Sequence, residues 1–109
     1  MNDFVIKQND TSPNIKSQLK DSDSNPVDLS QVNSIFFHME DYDAGEVIIE
    51  KEATIEDAKN GIVYYDWQEG DTANPGKYLA EWQVNFDDVN VETFPNDSYI
   101  VIEIVRELA

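Results

Sequence analysis

Alternation of period two is the feature that most constrains this chain. Successive side chains of an extended strand point to opposite faces, so a run in which every second residue is apolar builds a strand with one buried face. Phe4 and Ile6 alternate with Val5 and Lys7, and Ile15, Ser17 and Leu19 with Lys16, Gln18 and Lys20. Ile35, Phe37 and Met39 alternate with Phe36 and His38, while Val47 and Ile49 sit between glutamates. Ile62, Tyr64 and Asp66 alternate with Val63, Tyr65 and Trp67. The longest run sets Tyr78, Ala80, Trp82, Val84 and Phe86 against Leu79, Glu81, Gln83 and Asn85. The last sets Ile100, Ile102 and Ile104 against Val101, Glu103 and Val105.

Turn chemistry separates these runs at Asn9–Asn14, Asp21–Pro26, Asp41–Gly45, Lys59–Gly61, Glu69–Gly76 and Pro95–Asp97. Short strands at regular spacing, divided by Gly, Pro, Asn and Asp, predict an antiparallel sandwich or barrel. Lys59-Asn60-Gly61 predicts a hairpin, because Asn-Gly tolerates the positive φ of a tight turn. About seven to nine strands are expected, with at most one helical turn at Ala53–Ala58 and no βαβ rhythm. Tyr78, Trp82, Phe37 and Ile102 are expected to face inward.

The length of 109 residues fits a single domain spanning 1–109. Twenty-three acidic residues against seven basic ones give a net charge of −16. Phosphate-backbone binding displaces counterions with Lys and Arg. That balance disfavours nucleic acid and anionic membrane surfaces and leaves a partner with a basic surface, a solubility role and a salt-rich environment open. With no cysteine and His38 as the one histidine, neither disulfides nor a Cys/His zinc site is expected. No apolar run approaches the ~20 residues of a membrane-spanning helix. The acidic start, Met1-Asn2-Asp3-Phe4, does not resemble a signal peptide.

Four groups of residues have the composition of a chemical site. Asp21, Asp23 and Asn25 offer oxygens at alternate positions, as a calcium loop does. The sixth and twelfth positions hold Pro26 and Val32, where an EF-hand needs Gly and Glu. A polar turn is the reading adopted, with no metal. Asp41, Asp43, Glu46, Glu50, Glu52, Glu56 and Asp57 could supply a carboxylate pair, but such a pair must flank a cleft in two different environments. A solvated strand face explains them as well. His38, with no nucleophile or ligand partner in a recognisable spacing, reads as structural. Ser12, Ser17, Ser22, Ser24, Ser30, Ser34 and Ser98 lack a nucleophile-elbow context. Trp67, Trp82, Tyr64, Tyr65, Tyr78 and Tyr99 could line a sugar platform, although aromatics on strands are more often core. No catalytic residue, cofactor site or metal site is expected.

Leu19–Leu29, Ile35–Met39, Gly61–Trp67, Asp71–Trp82 and Val91–Tyr99, taken in order, resemble immunoglobulin-like domains of tailed-phage virion proteins, above all the N-terminal domain of the baseplate upper protein (BppU) family. Leu19-Lys-Asp-Ser-Asp-Ser-Asn-Pro-Val-Asp-Leu29 is similar to that family's L-x-D-x-D-G-N-P-V-D-L hairpin. Ile35–Met39 resembles the strand that follows, and Gly61–Trp67 the central strand. Asp71–Trp82 resembles D-x-x-x-P-G-x-Y-x-A-E-F, and Val91–Tyr99 resembles E-T-F-P-N-D-G-Y. Ser24 and Ser98 stand where glycine is usual. In that family the domain anchors a longer chain. Tyr78, two residues before Ala80, has the spacing of a tyrosine corner.

The resemblance implies an immunoglobulin-like antiparallel β-sandwich and a non-enzymatic structural component of a tailed-phage virion. Its place would be the baseplate, the tail or a tail-proximal adaptor, in multiple copies within a symmetric assembly, touching other virion proteins. The alternatives are a capsid decoration protein, a carbohydrate-binding adhesin module and an acidic inhibitor that mimics nucleic acid. The contact elements expected are Met1–Gln8 and Asp21–Pro26.

Overall fold

A computed structural model describes residues 2–109. Nine strands form, and among the described residues there is no helix. They are β1 (Phe4–Lys7), β2 (Ile15–Gln18), β3 (Ser34–Asp41), β4 (Val47–Glu52), β5 (Thr54–Asp57), β6 (Ile62–Tyr65), β7 (Gly76–Asn85), β8 (Val91–Phe94) and β9 (Ile100–Val105). The larger sheet, A, runs β1-β9-β7-β3-β4, with β8 also on β7. The smaller sheet, B, runs β2-β6-β5. Every pairing between strands is antiparallel except β1 with β9, which is parallel.

The two sheets pack face to face on the alternating apolar residues. Ile35, Phe37 and Met39 of β3 and Tyr78, Ala80, Trp82 and Val84 of β7 are buried from sheet A. Ile15, Val63 and Tyr65 are buried from sheet B, and Trp67 just beyond β6 joins them. Phe37 sits at the centre. Its ring stacks on Tyr65 at 4.8 Å, meets Trp82 at 4.9 Å and takes Trp67 edge-on at 5.7 Å. Such aromatic contacts add to the burial of large apolar area. The expected inward set of Tyr78, Trp82, Phe37 and Ile102 is all buried.

Three local readings of the sequence are corrected. Ala53–Ala58 is no helical turn, because Thr54–Asp57 is an edge strand paired to β6. The hairpin at Lys59–Gly61 forms, but with a four-residue loop, Ala58–Gly61, and a positive φ (+69°) only at Gly61. Gly61 is also the point of closest backbone approach. A Cβ there would lie 2.7 Å from the Val27 carbonyl oxygen and 2.9 Å from that of Leu19. Thirdly, Val47 and Ile49 do not share a face. The β3–β4 register shifts between Met39 and Glu40, so Met39 opposes Ile49 while Glu40 opposes Val47. A bulge reverses facing because one extra residue breaks the period of two. Ile49 is buried, and Val47 and Ile48 are exposed.

Candidate functional site

The acidic groups singled out in the sequence are dispersed, and several of them hold the turns that contain them. Asp21 Oδ1 accepts the backbone N–H groups of Asp23 (2.9 Å) and Asn25 (3.0 Å). Lys20 bridges to Pro26, and Ser24 turns the chain at φ +66°. Asp21–Pro26 is thus a self-capped turn of the kind Asp favours. A glycine would hold position 24 at lower cost, since positive φ costs a non-glycine residue free energy. Ser98 has no positive φ. Asp41 Oδ1 accepts from Asp43 and Ala44, both at 2.9 Å, and Asp57 holds Asn60. The hydrogen bonds from Ser30 hold the Asp28 carboxyl below the usual range, and those from Asn90 do the same for Asp87. Among the described residues, no group of three or more His, Asp or Glu side chains is placed to bind a metal ion.

The seven-carboxylate stretch from Asp41 to Asp57 splits between the sheets. Glu50 and Glu52 lie on β4, whereas Glu56 lies on β5 and pairs with Lys16 at 2.7 Å. Those acids do not converge on one cleft. The candidate sugar platform divides in the same way. Trp67, Trp82, Tyr65 and Tyr78 are core residues. Tyr64 is half-buried on β6 of sheet B, and exposed Tyr99 borders sheet A, so these two do not form one platform.

Two hydroxyls anchor the crossing from β6 to β7. Tyr78 Oη donates to the Asn74 carbonyl at 2.6 Å, which is the bond of a tyrosine corner. Tyr65 Oη donates to Asp71 Oδ2 at 2.6 Å, and the same oxygen accepts from the Gln68 N–H. Lys51 Nζ stands 3.7 Å from the other Asp71 oxygen. Burial, then the Asp71 bond and charge, pushes the Tyr65 hydroxyl well above its ordinary range. Burial and the charge of Asp41 raise Tyr78 as well.

Of the two contact elements expected from the sequence, the first is part of the fold. Met1 lies outside the described residues. Phe4–Lys7 pairs along β9, Ile6 is buried, and the Gln8 N–H donates to the Val105 carbonyl. This segment is a structural strand rather than a free arm.

The outer face of sheet A is the surface that sequence reading did not single out. Register places its side chains in rungs. One rung is Val47, Glu40, Leu79 and Val101. The next is Glu50, His38 and Glu81, and the third is Glu52, Phe36, Gln83 and Thr93. His38 Nδ1 lies 3.7 Å from Glu81 Oε2. Phe36, Leu79 and Val101 are half-buried, and Val47 and Tyr99 are 52% and 55% exposed. A recess of about 160 Å³ opens among His38, Glu40, Val47, Leu79, Glu81 and Tyr99. Small-molecule sites run from roughly 300 Å³ upward, so this one has room for a protruding side chain rather than a cofactor. The alternation of β1, β2, β3, β6, β7 and β9 was visible in the sequence. Which strands are neighbours, and hence which residues share a rung, was not. No family model, no curated protein and no solved structure matches the chain.

Proposed function

We propose that this chain is an immunoglobulin-like module of a tailed-phage virion, in the baseplate, tail or a tail-proximal adaptor, and that it works by protein–protein contact. The observation that carries the immunoglobulin-like part of the reading is the tyrosine corner, Tyr78 to Asn74 at 2.6 Å, set in the strand order 2-6-5 against 1-9-7-3-4, and the virion part rests on the resemblance of the stretches between Leu19 and Tyr99. That order corresponds to strands B, E and D facing G, F and C of an immunoglobulin domain, and β7 then takes the place of strand F, where such a tyrosine belongs. Two of the family-like stretches also have a defined place in the fold. Leu19–Leu29 is a self-capped hairpin that packs on Gly61. Asp71–Trp82 supplies the carboxylate that holds Tyr65 and the strand that carries the corner.

Purified particles from a host strain carrying the gene test the proposal. Immunogold labelling with an antibody to this chain is expected to mark one end of the tail. Absence of the chain from intact particles, by labelling and by mass spectrometry, overturns it. Label spread over the head favours the decoration reading instead.

A further inference from the structure

We infer that the outer face of sheet A, over the rungs of Glu40, His38 and Phe36, is the surface that docks, and that its occupant is a basic protein surface carrying arginine or lysine side chains. The inference deepens the assembly reading above and rests on it.

Three observations carry it. First, these three rungs concentrate charge of one sign on an apolar ground, a cation of that face, Lys77, lying one rung beyond them over the Tyr42 ring. The three rungs hold Glu40, Glu50, Glu52 and Glu81 and no lysine or arginine. Between these glutamates lie Phe36, Leu79 and Val101, half-buried, with exposed Val47 and Tyr99 at the margin. The outer face of sheet B differs, because its Glu56 is already joined to Lys16.

Second, the charge on this face is unspent. Asp21, Asp41, Asp57 and Asp87 cap their own turns. Among the described residues Glu40, Glu50 and Glu52 accept no side-chain hydrogen bond and join no ion pair, and Glu81 has only His38 at 3.7 Å. Carboxylates on neighbouring rungs repel one another, and a cationic partner relieves that repulsion.

Third, the shape suits long basic side chains. Their aliphatic stems cover apolar surface while the heads reach carboxylates, and the 160 Å³ recess beside Tyr99 has room for one such chain. An arginine there would also meet an aromatic ring. A second copy of this chain is the poorer occupant, since it would bring the same four glutamates against these.

Particle incorporation tests the inference with two double variants of equal charge change. One is Glu50→Lys with Glu81→Lys on the face. The other is Glu69→Lys with Asp88→Lys in exposed turns. Thermal melts establish that each folds, and if the first does not, Glu50→Gln with Glu81→Gln is set against Glu69→Gln with Asp88→Asn. The face pair is expected to reduce incorporation by about tenfold or more, and the turn pair by less than about twofold, because complementary charge at an interface acts locally. Normal incorporation of the face pair overturns the inference and leaves the virion reading standing. Equal losses from both pairs also overturn it, since binding then follows net charge alone.

If the unaltered chain is absent from particles, the virion reading fails, and a direct probe still decides the face. An Arg-Val-Arg-Val-Arg peptide, titrated at physiological salt into isotope-labelled protein, is expected to shift the amides of Glu40, Glu81 and Tyr99 most. Shifts centred on Asp21–Pro26 or Asp87–Asn90 overturn the inference, as does the absence of any shift.

Discussion

The indole N–H of Trp82 on β7 donates to Ser17 Oγ on β2 at 2.9 Å, joining the two sheets through their shared core. The core's other tryptophan, Trp67, is buried with no acceptor for its N–H among the described residues. The pair therefore separates hydrogen bonding from packing. Trp82→Ala is expected to cost about 3–5 kcal/mol, as large aromatic truncations do. Trp82→Phe loses both volume and a bond, whereas Trp67→Phe loses volume but removes an unpaired donor, which costs free energy when buried. Urea denaturation should therefore place Trp67→Phe above Trp82→Phe in midpoint. Ser17→Ala should cost about 1–2 kcal/mol by stranding the indole donor. The reverse order for the two phenylalanine variants would show that the indole bond contributes little.

Gly61 and Gly45 make a matched pair. Both have a positive φ, +69° and +67°, but a Cβ at Gly45 meets nothing within 4 Å, while one at Gly61 falls 2.7 Å from the Val27 carbonyl oxygen. Gly45→Ala thus isolates the backbone cost, about 1–2 kcal/mol. Gly61→Ala adds displacement of the hairpin Leu19–Val27 and should cost more, about 3 kcal/mol or above. Equal midpoints for the two variants would mean that the hairpin yields freely.

The individual strands were legible because alternation is a local property. The inward residues of β3, β7 and β9 are correctly assigned from the sequence, and the spacing of Tyr78 to Ala80, with turn residues upstream, resembles the corner whose hydrogen bond to Asn74 forms. β5 was missed because Thr54–Asp57 is short and polar, and its strand character comes from pairing with β6. β8 was read only as a family-like stretch, since exposed Val91 and Glu92 leave Phe94 as its one buried residue. The facing of Val47 was illegible because a bulge lies in the pairing and not in the composition. The candidate surface was hidden for the same reason. Glu50, His38 and Glu81 are scattered in sequence and become neighbours only through the order β4-β3-β7.

Alkaline pH should act on the two anchored tyrosines. Tyr65 and Tyr78 have folded-state pKa values raised above the ordinary value of about 10. The native state then holds protons that the unfolded state has already released, so stability is fully present below about pH 10 and falls as pH rises through the folded values. The melting temperature of the unaltered protein should decline above about pH 10, and tyrosinate absorbance from these two residues should appear only with unfolding. Tyr65→Phe should flatten the decline while lowering the plateau, because Asp71 loses a donor. An unchanged slope in Tyr65→Phe would remove Tyr65 as a cause.

Truncation of the N-terminus is expected to unfold the domain rather than free it from a partner. β1 is the edge of sheet A, bound in parallel register with Phe4 opposite Ile102 and Ile6 opposite Ile104. Removing residues 1–8 strips buried Ile6 from the core, takes away Phe4, which meets Trp67 at 5.8 Å, and breaks the Gln8–Val105 bond. Burial of one large aliphatic side chain is worth about 1.5–3 kcal/mol, and the lost ladder and aromatic contact add to it. A domain of this size has only about 5–15 kcal/mol in total. The truncated chain should therefore show a strongly lowered urea midpoint or fail to fold. Val5→Lys changes the same strand on its exposed side and should leave the midpoint within about 0.5 kcal/mol of the original. A deletion of 1–8 that melts like the full chain would show that β9 can serve as the sheet edge unaided.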